Sequence, residues 1–110
     1  MNDRTKIALE GSIAKWQAIV AGTGTDRGVM NCPLCQEFWK AGCNGCPVAE
    51  RTGRSFCSGT PYDAWEEEEW PEGEPYDALN KLTDRTARKR LRAIAQAELD
   101  FLISLRPEGE

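Results

Sequence analysis

Cys32-Pro33-Leu34-Cys35, seven further residues, Cys43-Asn44-Gly45-Cys46-Pro47, and ten more residues to Cys57: this stretch decides the middle of the chain. In a Cys-x-x-Cys turn the two sulfurs converge on one point. Two such turns supply the four thiolates of a closed, tetrahedral zinc site. The seven-residue spacer leaves room for a turn and a short helix. The spacing therefore predicts a structural zinc on Cys32, Cys35, Cys43 and Cys46, with Cys57 as the alternative ligand in place of one of the later pair. The same cysteines also admit a disulfide framework, or unligated thiols packed as small apolar side chains. Four thiolates can carry a [4Fe-4S] cluster as well, but ferredoxin spacing is tighter and differently arranged.

A chain of 110 residues, 29% of them charged, predicts a single domain, 1–110, with a modest core. Bound zinc supplies much of the folding free energy in domains of that kind. The start of the chain, Met1-Asn2-Asp3-Arg4-Thr5-Lys6, has no apolar run behind it to serve as a signal peptide, and no segment approaches the roughly 20 apolar residues that span a bilayer. The expectation is a cytoplasmic protein with no membrane partner. Thiols stay reduced there, which favours metal over disulfides, as does the odd count of five cysteines. Histidine is absent, which removes the usual acid–base residue near neutral pH and any His-paired nucleophile. A four-thiolate zinc also leaves no position for water. These points predict a non-enzymatic protein without a small-molecule substrate.

Around the cysteines the pattern is helical. Leu9, Ile13, Trp16 and Val20 fall on one stripe from about Asp3 to Ala21, with Ile19 beside it, and Gly22-Thr23-Gly24 ends the helix. The opposite side carries the small residues Gly11, Ala14 and Ala18, read as solvent-facing or as a docking face. Between the cysteine pairs a helical turn should bring Phe38 and Trp39 over the metal. A second turn after Cys46 closes at Gly53. Thr60, Pro61 and Asp63 open a short helix as cap, first position and capping acid. From about Asp77 to Leu105 the pattern is helical again, with a break near Thr83-Asp84, where Thr83 is a candidate cap for a fresh helix. Leu91, Ala95, Leu99 and Leu102 make its stripe, and Ile94, Phe101 and Leu105 widen it. Glu98 falls inside the arc and is expected to pair with an arginine such as Arg4 or Arg27. The fold class is thus mainly α: terminal helices packed together around a small irregular cysteine-rich module. The divisions are 2–21, a metal module at 30–60, an acidic helix and linker at 61–77, and a C-terminal helix at 78–106.

Charge is segregated. Asp63, Glu66, Glu67, Glu68, Glu69, Glu72, Glu74 and Asp77 form a run without a base, in a chain whose net charge is −4. A solvated helix face explains such a run. The functional reading is a patch for a basic partner, formed by Tyr62, Trp65, Glu66, Glu67, Glu68, Glu69 and Trp70, with the aromatics as anchors. Arg85, Arg88, Lys89, Arg90 and Arg92 crowd the start of the last helix, where positive charge opposes the helix dipole. They are the alternative site, for nucleic-acid phosphates. A third reading makes Cys57 the free thiol of a redox or metal sensor.

Several segments are similar to a group of small cysteine-rich proteins encoded by bacteriophages and prophages. They are Ala8-Leu9-Glu10-Gly11-Ser12-Ile13 with Trp16, Cys32-x-Leu34-Cys35, Cys43-x-Gly45-Cys46-Pro47-Val48, Thr52-Gly53, Cys57-x-Gly59-Thr60-Pro61-Tyr62, and Glu98-Leu99-Asp100-Phe101-Leu102. The resemblance implies a phage-encoded, zinc-binding protein of the host cytoplasm, and no activity. With the acidic run, it leads to the expectation of an interaction protein that binds or inhibits a host or phage protein.

Overall fold

The first helix, α1, spans Asp3–Ala21. The computed structural model describes residues 1–54, 59–67, 79 and 84–107, without the side chains of Val29, Glu66 and Glu67. Asn2 caps α1 by accepting the Thr5 N–H at 2.8 Å, and Asp3 places an acid in the first turn. At the other end Gly22 adopts φ 90°, which a side chain would disfavour. The Gly22 N–H then reaches Ile19 O and the Thr23 N–H reaches Ala18 O, both at 3.0 Å, the paired closure of a Schellman cap.

Beyond the cap the chain folds straight back on α1. A Cβ at Gly24 would lie 2.7 Å from Ala18 Cβ, so only glycine fits. A 3-10 turn at Gly28–Asn31 leads into α2, Pro33–Phe38, followed by a 3-10 turn at Trp39–Ala41. Helix α3 spans Pro47–Thr52, α4 spans Pro61–Glu67 and α5 spans Arg85–Ser104. No strand occurs among the described residues.

Helices α1 and α5 run antiparallel. Arg92 near the start of α5 donates to Val20 O at the end of α1, at 3.1 Å. Arg106, just past α5, grips Glu10 of α1 with two hydrogen bonds of 2.7 and 2.6 Å. Between these ties lies the core: Leu9, Ile13, Trp16 and Ile19 from α1, and Leu91, Ala95, Leu99 and Leu102 from α5. Leu91 is fully buried. Truncating it to alanine is expected to lower the unfolding free energy by about 2–5 kcal/mol, read from the denaturation midpoint at unchanged slope.

Three sequence expectations need correction here. The break expected near Thr83 falls at Asp84, one residue past the candidate cap. Asp84 has an extended backbone and accepts the Ala87 N–H at 3.1 Å, so it is the cap and the helix begins at Arg85. Thr83 lies outside the described residues. Trp39 is 52% exposed and outside the core cluster, whereas Phe38 packs on it. The small side of α1 is not simply solvent-facing: Ala14 is exposed, but Gly11 is covered by Pro33, whose Cγ would sit 3.0 Å from an added Cβ.

That close approach seats α2 on α1. The buried Ser12 hydroxyl accepts the Leu34 N–H at 3.3 Å, and Arg4 pairs with Glu37 at 2.8 Å. On the far side of the module, Arg51 of α3 donates to Ser104 O at 3.2 Å, which satisfies a carbonyl at the end of α5. The cysteine-bearing segment therefore sits at one end of the helix pair.

Candidate metal centre

Both cysteine pairs are built on the same local device. Cys32 caps α2 and Pro33 takes its first position; Cys46 stands at the cap position of α3, without a side-chain cap hydrogen bond, and Pro47 takes its first position. Proline fits there because the first helical N–H has no partner to lose. The Cys32 sulfur accepts the Cys35 N–H at 3.2 Å, as a thiolate in a metal turn would. The second pair is tighter. Cys43 has φ 68°, the one positive value outside glycine among the described residues, and Gly45 follows at φ 88° against the Phe38 ring. A non-glycine residue held there marks a backbone set by something other than its own preference. The Cys46 N–H closes the turn on Cys43 O at 3.1 Å.

The thiols approach one another pairwise, Cys35 with Cys32 and Cys46 with both Cys43 and Cys32. Cys35 hydrogen-bonds to Cys32 and, with burial, pushes the Cys32 thiol well above the usual range. Burial pushes Cys46 up as well, and both Cys43 and Cys32 are close enough to add to it. The N–H groups of Ala49 and Val48 pull Cys46 the other way without making a cap hydrogen bond. None of the four is in a disulfide. As protonated thiols they approach one another in a chain, and among the described residues no three Cys, Asp or Glu side chains stand in a metal-holding arrangement. Cys57 lies outside the described residues.

The acidic-aromatic stretch is divided by the fold. Trp65 is only 3% exposed and Tyr62 is half-buried, so Trp65 is a core residue in this structure and not an exposed anchor. The Trp65 indole N–H and the Tyr62 hydroxyl both donate to Asp26 Oδ2 at 2.9 Å. Both rings meet Trp16 edge-on, at centroid distances of 5.2 and 5.8 Å. Thr60 accepts the Tyr62 N–H at 3.2 Å, and the Asp63 carboxylate reaches back to the Gly59 N–H at 2.7 Å, one residue before the expected cap. Glu66 and Glu67 end α4; Glu68, Glu69 and Trp70 lie outside the described residues. Of the basic group, Arg85, Lys89 and Arg90 are exposed, while Arg88 and Arg92 are half-buried and Arg92 serves α1.

Lys15, Asp26 and Glu98 carry a cluster that sequence reasoning did not assemble. Lys15 donates to Asp26 Oδ1 at 2.8 Å, with both side chains only 9% exposed. Its ammonium also lies 5.4 Å from the Trp16 ring centre. Glu98 is 3% exposed and takes neither expected arginine: Arg4 pairs with Glu37, and Arg27 lies exposed. Glu98 Oε2 has no hydrogen-bond partner. Burial pushes its carboxyl up to about 7; Asp26 and Asp63 add to that, against the Tyr62 N–H and Lys15. Glu98 was visible in the sequence as an acid inside an apolar arc. Asp26 gave no such signal, being one polar residue in a polar loop.

No family model, curated protein or solved structure matches the chain.

Proposed function

We propose that this is a non-enzymatic interaction protein, phage-encoded, whose cysteine segment is stabilised by a structural zinc and whose acidic stretch binds a host or phage protein with a basic surface. One observation carries the metal half: two Cys-Pro helix starts bring Cys32, Cys35, Cys43 and Cys46 to one end of the helix pair, with the Cys46 thiol within reach of both Cys43 and Cys32. A divalent cation reverses the local electrostatics. The thiols of Cys32 and Cys46, which burial and their cysteine neighbours keep protonated, become thiolates around the charge, and the site gathers as protons leave.

Supporting the partner half, Tyr62 and Trp65 tie the root of the acidic run to Asp26. Contact with the partner falls to Glu66, Glu67, Glu68, Glu69 and Trp70. Such a stretch steers association with a basic surface and weakens with salt. Replacing Glu66 to Glu69 with glutamines is expected to abolish co-purification of the partner from phage-infected cells while leaving the melting temperature unchanged. Retention of every partner by that variant would refute the assignment.

A second reading has one observation in its favour. Arg85, Lys89 and Arg90 are exposed on the first turns of α5. If they contact phosphates, the chain will shift DNA or RNA at low salt and release it as salt rises. Absence of binding at low salt ends that reading.

A further inference from the structure

Helix α4 is short, and it is held to the body of the protein through groups that share one buried carboxylate pair. Tyr62 and Trp65 of α4 donate to Asp26 on the loop after α1, and Asp26 is neutralised by Lys15 of α1. Against the same spot α5 sets Glu98, 3% exposed, with Oε2 unpartnered. The groups that face Glu98 are the Tyr62 N–H and Asp63 from α4, Asp26 from the loop, and Lys15 from α1. Lys15 therefore faces two acids, Asp26 and Glu98, with Asp63 nearby. A protonated Glu98 needs no counter-charge. An ionised one needs a donor that Oε2 lacks and adds repulsion against Asp26 and Asp63.

We propose that Glu98 and Asp26 form a proton-operated latch: with Glu98 protonated α4 is clamped on α1 and α5, and loss of that proton loosens α4 while the two long helices stay packed. None of the latch groups is a cysteine, so the inference stands apart from the zinc and from any partner. The direction follows from linkage. Burial raises Glu98 in the folded protein above its ordinary 4.5, to about 7, so its contribution is complete below pH 4.5 and is lost as pH rises through 7.

Two measurements on the full chain test this. Carbon-13 NMR of the carboxyl groups is expected to show Glu98 titrating near 7. Hydrogen exchange, corrected for intrinsic rates, is expected to show protection in α4 falling by up to about tenfold per pH unit between pH 4.5 and the Glu98 midpoint near 7 and levelling off above it, with α1 unchanged. Glu98→Gln, which keeps the shape and cannot ionise, should leave α4 protection flat across the same window, from pH 4.5 to 7. A Glu98 midpoint at its ordinary value overturns the latch. So does an unchanged loss of α4 protection in the glutamine variant. Should that variant fail to fold, the wild-type carboxyl titration decides alone.

Discussion

Asp26→Ala is expected to destabilise the protein by about 3–5 kcal/mol, the cost of stranding one partner of a buried ion pair. The substitution removes the acceptor for Lys15, for the Tyr62 hydroxyl and for the Trp65 indole together. Each of those donors sits where water replaces it poorly. Against a total of about 5–15 kcal/mol for a domain, that is a large fraction. Denaturant titration at neutral pH reads it directly. Asp26→Asn keeps an acceptor and the shape while losing the charge, so it should fall between wild type and alanine. Removing Asp26 also takes a negative charge away from Glu98, which then ionises more readily beside Lys15. Glu98→Gln on the Asp26→Ala background should therefore cost more than Glu98→Gln alone. Such non-additivity is expected for side chains that share a partner.

The second large effect is expected from metal removal. A chelator applied under reducing conditions should abolish the cooperative melt. Structural zinc contributes about 10–16 kcal/mol of apparent binding free energy in small cysteine sites, which is folding free energy where no site preforms. What would remain of the module is slight: α2 and α3 have six residues each, and isolated helices that short are unstable in water. Because the thiols of Cys32 and Cys46 are pushed up in the absence of a cation, binding must release protons and weaken as pH falls. Cys46→Ser should lose the metal.

Local chemistry was readable wherever a single residue decides the backbone. The end of α1 at Gly22, the end of α3 at Gly53 and the start of α4 at Pro61 follow from caps and proline positions. The stripes of α1 and α5 follow from spacing, because one face of each must be buried. Neighbouring residues of equal chemistry were harder to separate. Thr83 and Asp84 are both good caps, and only the extended backbone at Asp84 chooses between them. Phe38 and Trp39 are both aromatic, and the docking of α2 through Pro33 on Gly11 of α1 turns one inward and the other out.

The polar cluster was not readable, for a different reason. Lys15, Asp26, Trp65 and Glu98 come from four separate elements, and nothing in their spacing announces that the chain will bring them together. Trp65 looked like an anchor because its neighbours are acids. Burial is decided by one face of α4, and the acids beside it say nothing about that face.

The most direct test is the zinc content of protein purified under reducing conditions, measured together with alkylation of its five cysteines. The expected result is one zinc per chain, with Cys32, Cys35, Cys43 and Cys46 protected from alkylation and Cys57 modified. A metal-free protein whose melt is identical with and without chelator would contradict it.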